Sequence, residues 1–271
     1  MRVLQNHLLL HIALLLSAVA IPTAAHSDEN WQSLFNGKDL TGWTPKIRGY
    51  EPGIDPARTF RVEDGLLSVN YDQYEAFDNQ FGHLFYEVPY SHYRLRLQYR
   101  FIGEQAPGAP GWAFRNSGVM IHSQPPHTMP AAQDFPISIE VQFLGGRNDD
   151  QPRPTANMCS PGTHVVIAGE FTEQHCVASQ APTIHGDDWV HIEVLVEGDQ
   201  RVTHFINGDQ VMTYGGLTTG GGVVSGHLES MKPEGASLST GYISLQSEGH
   251  PIHFREIELL DLSPQKQTPA R

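Results

Sequence analysis

Arg94-Leu95-Arg96-Leu97-Gln98-Tyr99-Arg100-Phe101 alternates polar and apolar residues at every step. Successive side chains of an extended strand point to opposite faces, so this run reads as a strand with one face against a core. Val190-His191-Ile192-Glu193-Val194-Leu195-Val196 nearly repeats the pattern, and Glu197-Gly198-Asp199 reads as a turn. Thr203-His204-Phe205-Ile206 follows, and Asn207-Gly208 supplies the positive-φ pair of a tight hairpin before Val211–Tyr214. Further strands are expected at Leu66–Asn70, Gly82–Glu87, Gly118–His122, Ile137–Phe143, Thr163–Ile167, Gly241–Ser247 and Ile252–Leu260.

No amphipathic helical pattern of ten or more residues interrupts them, and 26 Gly and 19 Pro punctuate the chain. That combination predicts a β-sandwich or jelly roll. Two Gly/Pro-rich insertions, Glu104–Trp112 and Gly215–Ser237, read as surface loops of the kind that border a site on a rigid sheet.

The first 27 of the 271 residues read as an export signal. Met1–Arg2 give a positive start, Leu8–Leu10 and Ile12–Ala20 an apolar middle, and small residues lead to a cut near Ala25 to Ser27. The apolar run falls short of the roughly 20 residues a spanning helix needs, and no later segment is apolar enough to cross a bilayer. The expected organisation is signal at 1–27, one domain at 28–262 and a polar tail at 263–271, in a protein exported to the periplasm or beyond.

The net charge of −13 is spread without a Lys/Arg cluster. Such a chain repels phosphate backbones, so nucleic acid is not an expected partner, whereas a neutral sugar is indifferent to the charge. The sequence leaves oligomeric state open. Cys159 and Cys176 are the two cysteines. In an oxidising compartment they are expected to form one bridge; a metal site with His164 or His175 would lack a CxxC pair.

Period two also predicts one polar sheet face. Asn116, Gly118, Met120 and His122 share a side, as do Glu140 and Gln142, and Tyr242, Ser244, Gln246 and Glu248. Val119, Ile121, Ile139, Val141, Phe143, Ile243 and Leu245 take the other. Half-wet sheets are common, but short planar amides, imidazoles and carboxylates in place of Lys and Thr suit sugar hydroxyls. Glu140, between two apolar neighbours, is the carboxyl whose proton affinity burial would raise.

There is no GxSxG, no HExxH and no phosphate-binding glycine loop. Glycosidases of the two-carboxylate type need a pair of acids about 5–10 Å apart. Glu140-Val141-Gln142-Phe143-Leu144-Gly145 offers one, which argues against that chemistry.

Trp31-Gln32-Ser33-Leu34-Phe35-Asn36-Gly37-Lys38-Asp39-Leu40-Thr41-Gly42-Trp43 resembles the opening of the 3-keto-disaccharide hydrolase family, formerly a domain of unknown function (DUF1080). Val62-Glu63-Asp64-Gly65-Leu66-Leu67, Asn116-Ser117-Gly118-Val119, Ile139-Glu140-Val141-Gln142-Phe143-Leu144, His204-Phe205-Ile206-Asn207-Gly208, Gly241-Tyr242-Ile243-Ser244-Leu245-Gln246 and Phe254-Arg255-Glu256-Ile257-Glu258-Leu259 follow in family order. Two positions depart: Gly145 stands where the family commonly has Asp, and Gln246-Ser247-Glu248-Gly249 where it has Gln-x-His-Gly.

The resemblance implies a concanavalin-like jelly-roll sandwich of two antiparallel sheets, acting on glycosides whose sugar carries a 3-ketone. A ketone at C3 acidifies the C2 proton, so a single base can start β-elimination of the C1 substituent, and water then adds back. On this reading Glu140 and His122 act as base and acid. Arg115, Asn116, Gln142, His164 and His204 hold hydroxyls or the enolate, with Gln246 and Glu248 at the rim. The sequence shows no metal site; a divalent cation such as calcium on the ketone stays open. A lectin-like binding module without catalysis is the alternative.

Overall fold

The computed structural model describes residues 30–147 and 149–264. The expected export signal at 1–27 lies outside the described residues, as does most of the polar tail.

The strands run in chain order β1 (Gln32–Ser33), β2 (Trp43–Ile47), β3 (Phe60–Glu63), β4 (Leu66–Val69), β5 (Gly82–Tyr86), β6 (His92–Phe101), β7 (Asn116–Ser123), β8 (Ile139–Leu144), β9 (Asn157–Cys159), β10 (Thr163–Ile167), β11 (Glu170–Thr172), β12 (Cys176–Val177), β13 (Val190–Glu197), β14 (Arg201–Ile206), β15 (Asp209–Thr219), β16 (Tyr242–Ser247) and β17 (Ile252–Asp261). Helical structure among the described residues is confined to three single 3₁₀ turns. The architecture is all-β, two antiparallel sheets stacked as a concanavalin-like jelly roll. One sheet has the order β11-β10-β15-β14-β13-β6-β17-β4-β3, with β1 also on β17; the other is β12-β9-β8-β7-β16-β5-β2.

The alternation in β6 does what its period requires. Leu95, Leu97, Tyr99 and Phe101 are buried between the sheets, where Val141, Phe143 and Leu245 meet them from the second sheet. Tyr99 stacks on Phe143 with ring centres 4.3 Å apart. On the outside, Arg94 pairs with Glu193 and Arg96 with Glu258, while Arg100 and Arg255 lie over Trp189. Exposed ion pairs contribute about 0–1 kcal/mol each, against about 1.5–3 kcal/mol for burying one large apolar side chain. Core burial therefore fixes which way β6 faces.

The Asn207-Gly208 hairpin forms, joining β14 to β15. β15 extends beyond the expected Tyr214 to Thr219, because β10 pairs with its far half through His164↔Thr218 and Thr163↔Thr219. The expected Gly215–Ser237 loop is shortened accordingly. β2 was hidden in the sequence by Pro45, which is tolerated because β2 is an edge strand. Cys159 and Cys176 form a disulfide between register partners on β9 and β12, at the far edge of the second sheet.

Candidate active site

The outer face of the second sheet is assembled by register. Met120 pairs with Glu140 and Gly118 with Gln142 across β7 and β8. Ser244 of β16 pairs with Met120, Gln246 with His83 of β5, and His83 with Lys46 of β2. Paired residues share a face, so these side chains stand together opposite the core. Loops from 102–115, 124–138 and 220–241 cover them. Ser244, Gln246 and His83 are fully buried, and Lys46 donates to the carbonyls of Ile47 and Ala131 at 3.1 Å each.

Under the cover lies a cavity of about 260 Å³. Trp112, Phe135, Pro161 and Val223 wall it with apolar surface; Glu140, Gln142, Asn116 and Glu248 supply the polar groups; His175 and Cys176 close one side. Phe81 braces the aromatic wall, stacked on Trp112 at 5.8 Å and tilted against Phe135 at 4.9 Å.

Glu140 and Glu248 are the chemical centre. Oε1 of Glu140 and Oε2 of Glu248 are buried without a hydrogen-bond partner, as are Oδ1 of Asn116 and Oε1 of Gln246. Each such atom costs about 1–3 kcal/mol, and a group of them around one cavity is what a polar ligand would satisfy. Nε2 of Gln246 reaches Oε1 of Glu248 at 3.5 Å, and Gln142 accepts from Asn157 at 3.0 Å. Burial pushes the Glu140 carboxyl well above the usual carboxylate range. Glu248 is raised by burial first and by the neighbouring Glu140 charge second, while the Arg153 cation opposes the rise. Arg153 is itself tied to backbone, donating to the carbonyls of Gly145 at 2.5 Å, Arg115 at 3.2 Å and Trp112 at 3.3 Å.

Gly118 makes the Glu140 position available. A Cβ there would lie 2.8 Å from Oε1 of Glu140 and 2.9 Å from its Cγ. The carboxyl therefore leans across β7, toward the strand that leads into Glu248.

The expected grouping holds for Glu140, Asn116, Gln142 and Glu248, which line the cavity, and for Gln246 beside it. It fails for His122. A bulge between the pairs Tyr242↔Ser123 and Ser244↔Met120 puts His122 at φ 50°, which breaks the alternation. The ring turns inward, edge-on to Tyr93 at 6.3 Å, with Nε2 3.1 Å from the Gly198 carbonyl. Gly241 permits the bulge, since a Cβ there would meet the His122 carbonyl carbon at 2.4 Å.

His204 also sits in the core rather than the cavity. Its Nδ1 is 2.9 Å from the Ala156 carbonyl and its Nε2 2.9 Å from the Tyr214 hydroxyl. His164 lies outside the cavity lining, 3.3 Å from Glu234 and against Phe171. Arg115 points the other way, to the Gly186 carbonyl and Asp187. At Gly145, a Cβ would lie 2.9 Å from Cδ of Arg115 and 3.0 Å from its Cβ, so this chain has no room for the family's aspartate.

Four groups of the site were not legible beforehand. Trp112, Phe135 and His175 come from loops, and Arg153 has no periodic signal. Glu248 was placed only at the rim; it is 4% exposed and stands with Glu140 in the cavity. The second carboxyl missing from β8 thus arrives from the end of β16.

The family model of the 3-keto-alpha-glucoside-1,2-lyase-like domain matches residues 30–260. The chain belongs to that family. Two solved structures share the fold of this lyase-like domain, both inferred glycosyl hydrolases from Parabacteroides distasonis ATCC 8503. One is 17% identical with a TM-score of 0.51, over 86% of this chain and 99% of the other. The second is 21% identical with a TM-score of 0.51, over 87% and 95%. No curated protein matches the sequence.

Within this lyase-like domain, one ring nitrogen of His175 and the two sulfurs of Cys159 and Cys176 lie within 4.8 Å of one another. The sulfurs are spent on each other in the disulfide and are not metal ligands. The carboxylates of Glu140 and Glu248 and the Asn116 carbonyl are the oxygen donors a hard divalent cation such as calcium would meet in the cavity.

Proposed function

We propose that this protein cleaves 3-keto-α-glycosides by proton abstraction at C2, expulsion of the C1 substituent and addition of water. The observation that carries the reading is the pair of buried carboxyls, Glu140 and Glu248, each with one oxygen lacking a hydrogen-bond partner, facing one cavity walled by Trp112 and Phe135. Membership of the 3-keto-alpha-glucoside-1,2-lyase-like family supports this substrate class.

Two like charges in one buried site do not both ionise readily, so near neutrality the pair retains a proton. The carboxylate, assigned to Glu140, takes the C2 proton. The C2–H electrons form the enolate, whose collapse breaks the bond from C1 to the leaving oxygen. The carboxylic acid, assigned to Glu248, protonates that oxygen. Water adds to C1 of the resulting enone and C2 regains a proton, giving net hydrolysis. Side-chain acid–base catalysis of this kind contributes typically 10²–10⁴-fold. Nδ2 of Asn116 is assigned as the donor to the enolate oxygen, and the aromatic walls are assigned to hold the sugar and exclude water. His122 and His204, committed to the core, take no part.

Export of the chain accords with the Cys159–Cys176 disulfide, a bond typical of oxidising compartments. No helix among the described residues is long and apolar enough to cross a membrane.

One observation favours a second reading. With Glu248 beside Glu140, the carboxyl pair of an ordinary glycosidase is present after all. Incubating the purified protein with a 3-keto-α-glucoside and with its unoxidised parent separates the two. Cleavage of the ketone alone supports the elimination; cleavage of the parent supports the glycosidase; binding without turnover leaves a lectin.

A further inference from the structure

His175 and Cys176, which close one side of the cavity, belong to a short segment at the edge of the sheet. β12 has two residues and pairs with β9 through Cys176↔Cys159 and Val177↔Met158. His175 immediately precedes it. Its backbone carbonyl accepts from the amide of Ser160 at 2.9 Å and the Ser160 hydroxyl at 3.2 Å. Its ring lies against the disulfide, with a nitrogen within 4.8 Å of both sulfurs. Nδ1 is buried without a partner, and the residue lines the cavity together with Glu140.

We propose that His175 is a substrate-binding residue that contacts a hydroxyl of the sugar substrate, and that the Cys159–Cys176 disulfide is the device that holds it in the site. The inference rests on the carbohydrate reading of this cavity but not on the elimination chemistry.

Position decides between binding and proton transfer. β9 lies between β8 and β12, so the His175 segment is about two strand spacings, near 10 Å, from the backbone of Glu140. The reacting C1 and C2 belong between the two carboxyls, over β7 and β8. His175 therefore meets the part of the sugar, or of the attached group, that lies toward the sheet edge. Burial lowers its proton affinity against a smaller opposing effect of the Ser160 backbone, so the ring is neutral at pH 7, and a neutral imidazole has one donor and one acceptor nitrogen. That suits a hydroxyl, which both donates and accepts, and supplies no positive charge for an anionic substituent. The bridge joins β12 to Cys159, the register partner of Glu140, so the contact and the catalytic carboxyl are tied to opposite sides of the same strand, β9.

The test combines His175→Ala, His175→Asn and the bridge-free Cys159→Ser/Cys176→Ser protein in a double-mutant cycle. Methyl 3-keto-α-glucoside is used for turnover, and it and methyl α-glucoside for calorimetric binding. Loss of one hydrogen bond corresponds to about a tenfold rise in KM. His175→Ala is expected to show that rise with kcat within about twofold and an unshifted pH profile, and His175→Asn to recover part of it. The bridge-free protein is expected to show a similar KM rise, with His175→Ala adding less than about twofold in that background. Unchanged KM and Kd in His175→Ala, or full additivity with bridge removal, overturns the inference. If wild type binds both probes but turns over neither, the elimination reading fails alone, and the Kd values decide the role of His175. If the bridge-free protein does not fold, the Ala and Asn variants decide it. Binding of neither probe by wild type overturns both.

Discussion

Glu140 on β8 and Glu248 just past the end of β16 face the same cavity across β7, and burial, then the charge of Glu140, raises the proton affinity of Glu248. The separation is bridged because β7 carries Gly118 where any other residue would put a side chain against the Glu140 carboxyl. A buried pair of this kind shares its protons, and several consequences are measurable.

Glu140→Gln should abolish turnover, by at least about 10²-fold in kcat, with an unchanged circular dichroism spectrum. Glu248→Gln should depend on the leaving group. If Glu248 protonates the departing oxygen, its loss is large for methyl 3-keto-α-glucoside and small for a p-nitrophenyl 3-keto-α-glucoside, whose phenolate needs no acid. Equal losses on both substrates would remove Glu248 from that role.

Stability should respond to pH through the same pair. Buried in the folded protein, both carboxyls bind protons more tightly than an exposed glutamate does. Their contribution is therefore full below about pH 4, the unfolded range for Glu, and declines as pH rises toward their elevated folded values. Either Gln variant should match wild type in Tm near pH 4 and exceed it increasingly toward pH 8. A Tm difference that is flat with pH would mean the carboxyls are not buried as a pair.

Gly118→Ala tests the approach of the carboxyl directly. Its methyl group would fall within 3 Å of Glu140, forcing that side chain aside. A stability cost of about 1–3 kcal/mol is expected from overpacking, with a larger loss in kcat than in KM. Full activity with a normal Tm would show that Glu140 does not need this position.

His122→Ala should do the opposite of what strand periodicity suggests. The ring's bond to the Gly198 carbonyl and its packing on Tyr93 belong to the core. The variant should lose about 1–3 kcal/mol of stability while kcat/KM stays within about threefold when measured well below its Tm. A large kinetic loss without destabilisation would return His122 to the site.

The contrast between β6 and β7 explains what could be read from the sequence. β6 is regular over its whole length, so its alternation names its core face correctly. β7 carries the same signal as far as Met120, and the bulge at His122 then inverts it; nothing in Ile121-His122-Ser123 announces a left-handed residue. Register set by hydrogen bonding across β7, β8 and β16 brought together Asn116, Gln142, Glu140 and Gln246, residues that period two placed on one side. The walls were illegible for a different reason. Trp112, Phe135 and His175 sit in loops, whose direction depends on tertiary packing such as Phe81 against Trp112 and the Cys159–Cys176 bridge. Glu248 was placed at the rim because it lies one residue past the end of β16, where the pairing with β5 has ended at Ser247↔Gly82.

The central claim is that the reaction begins by removing the proton at C2. Turnover of a 3-keto-α-glucoside in D₂O, followed by mass and NMR analysis of the released sugar at early times, tests it most directly. The account predicts deuterium at C2, incorporated at the rate of cleavage, and above the background of a no-enzyme control and of Glu140→Gln. Cleavage that leaves the original hydrogen at C2 would contradict it.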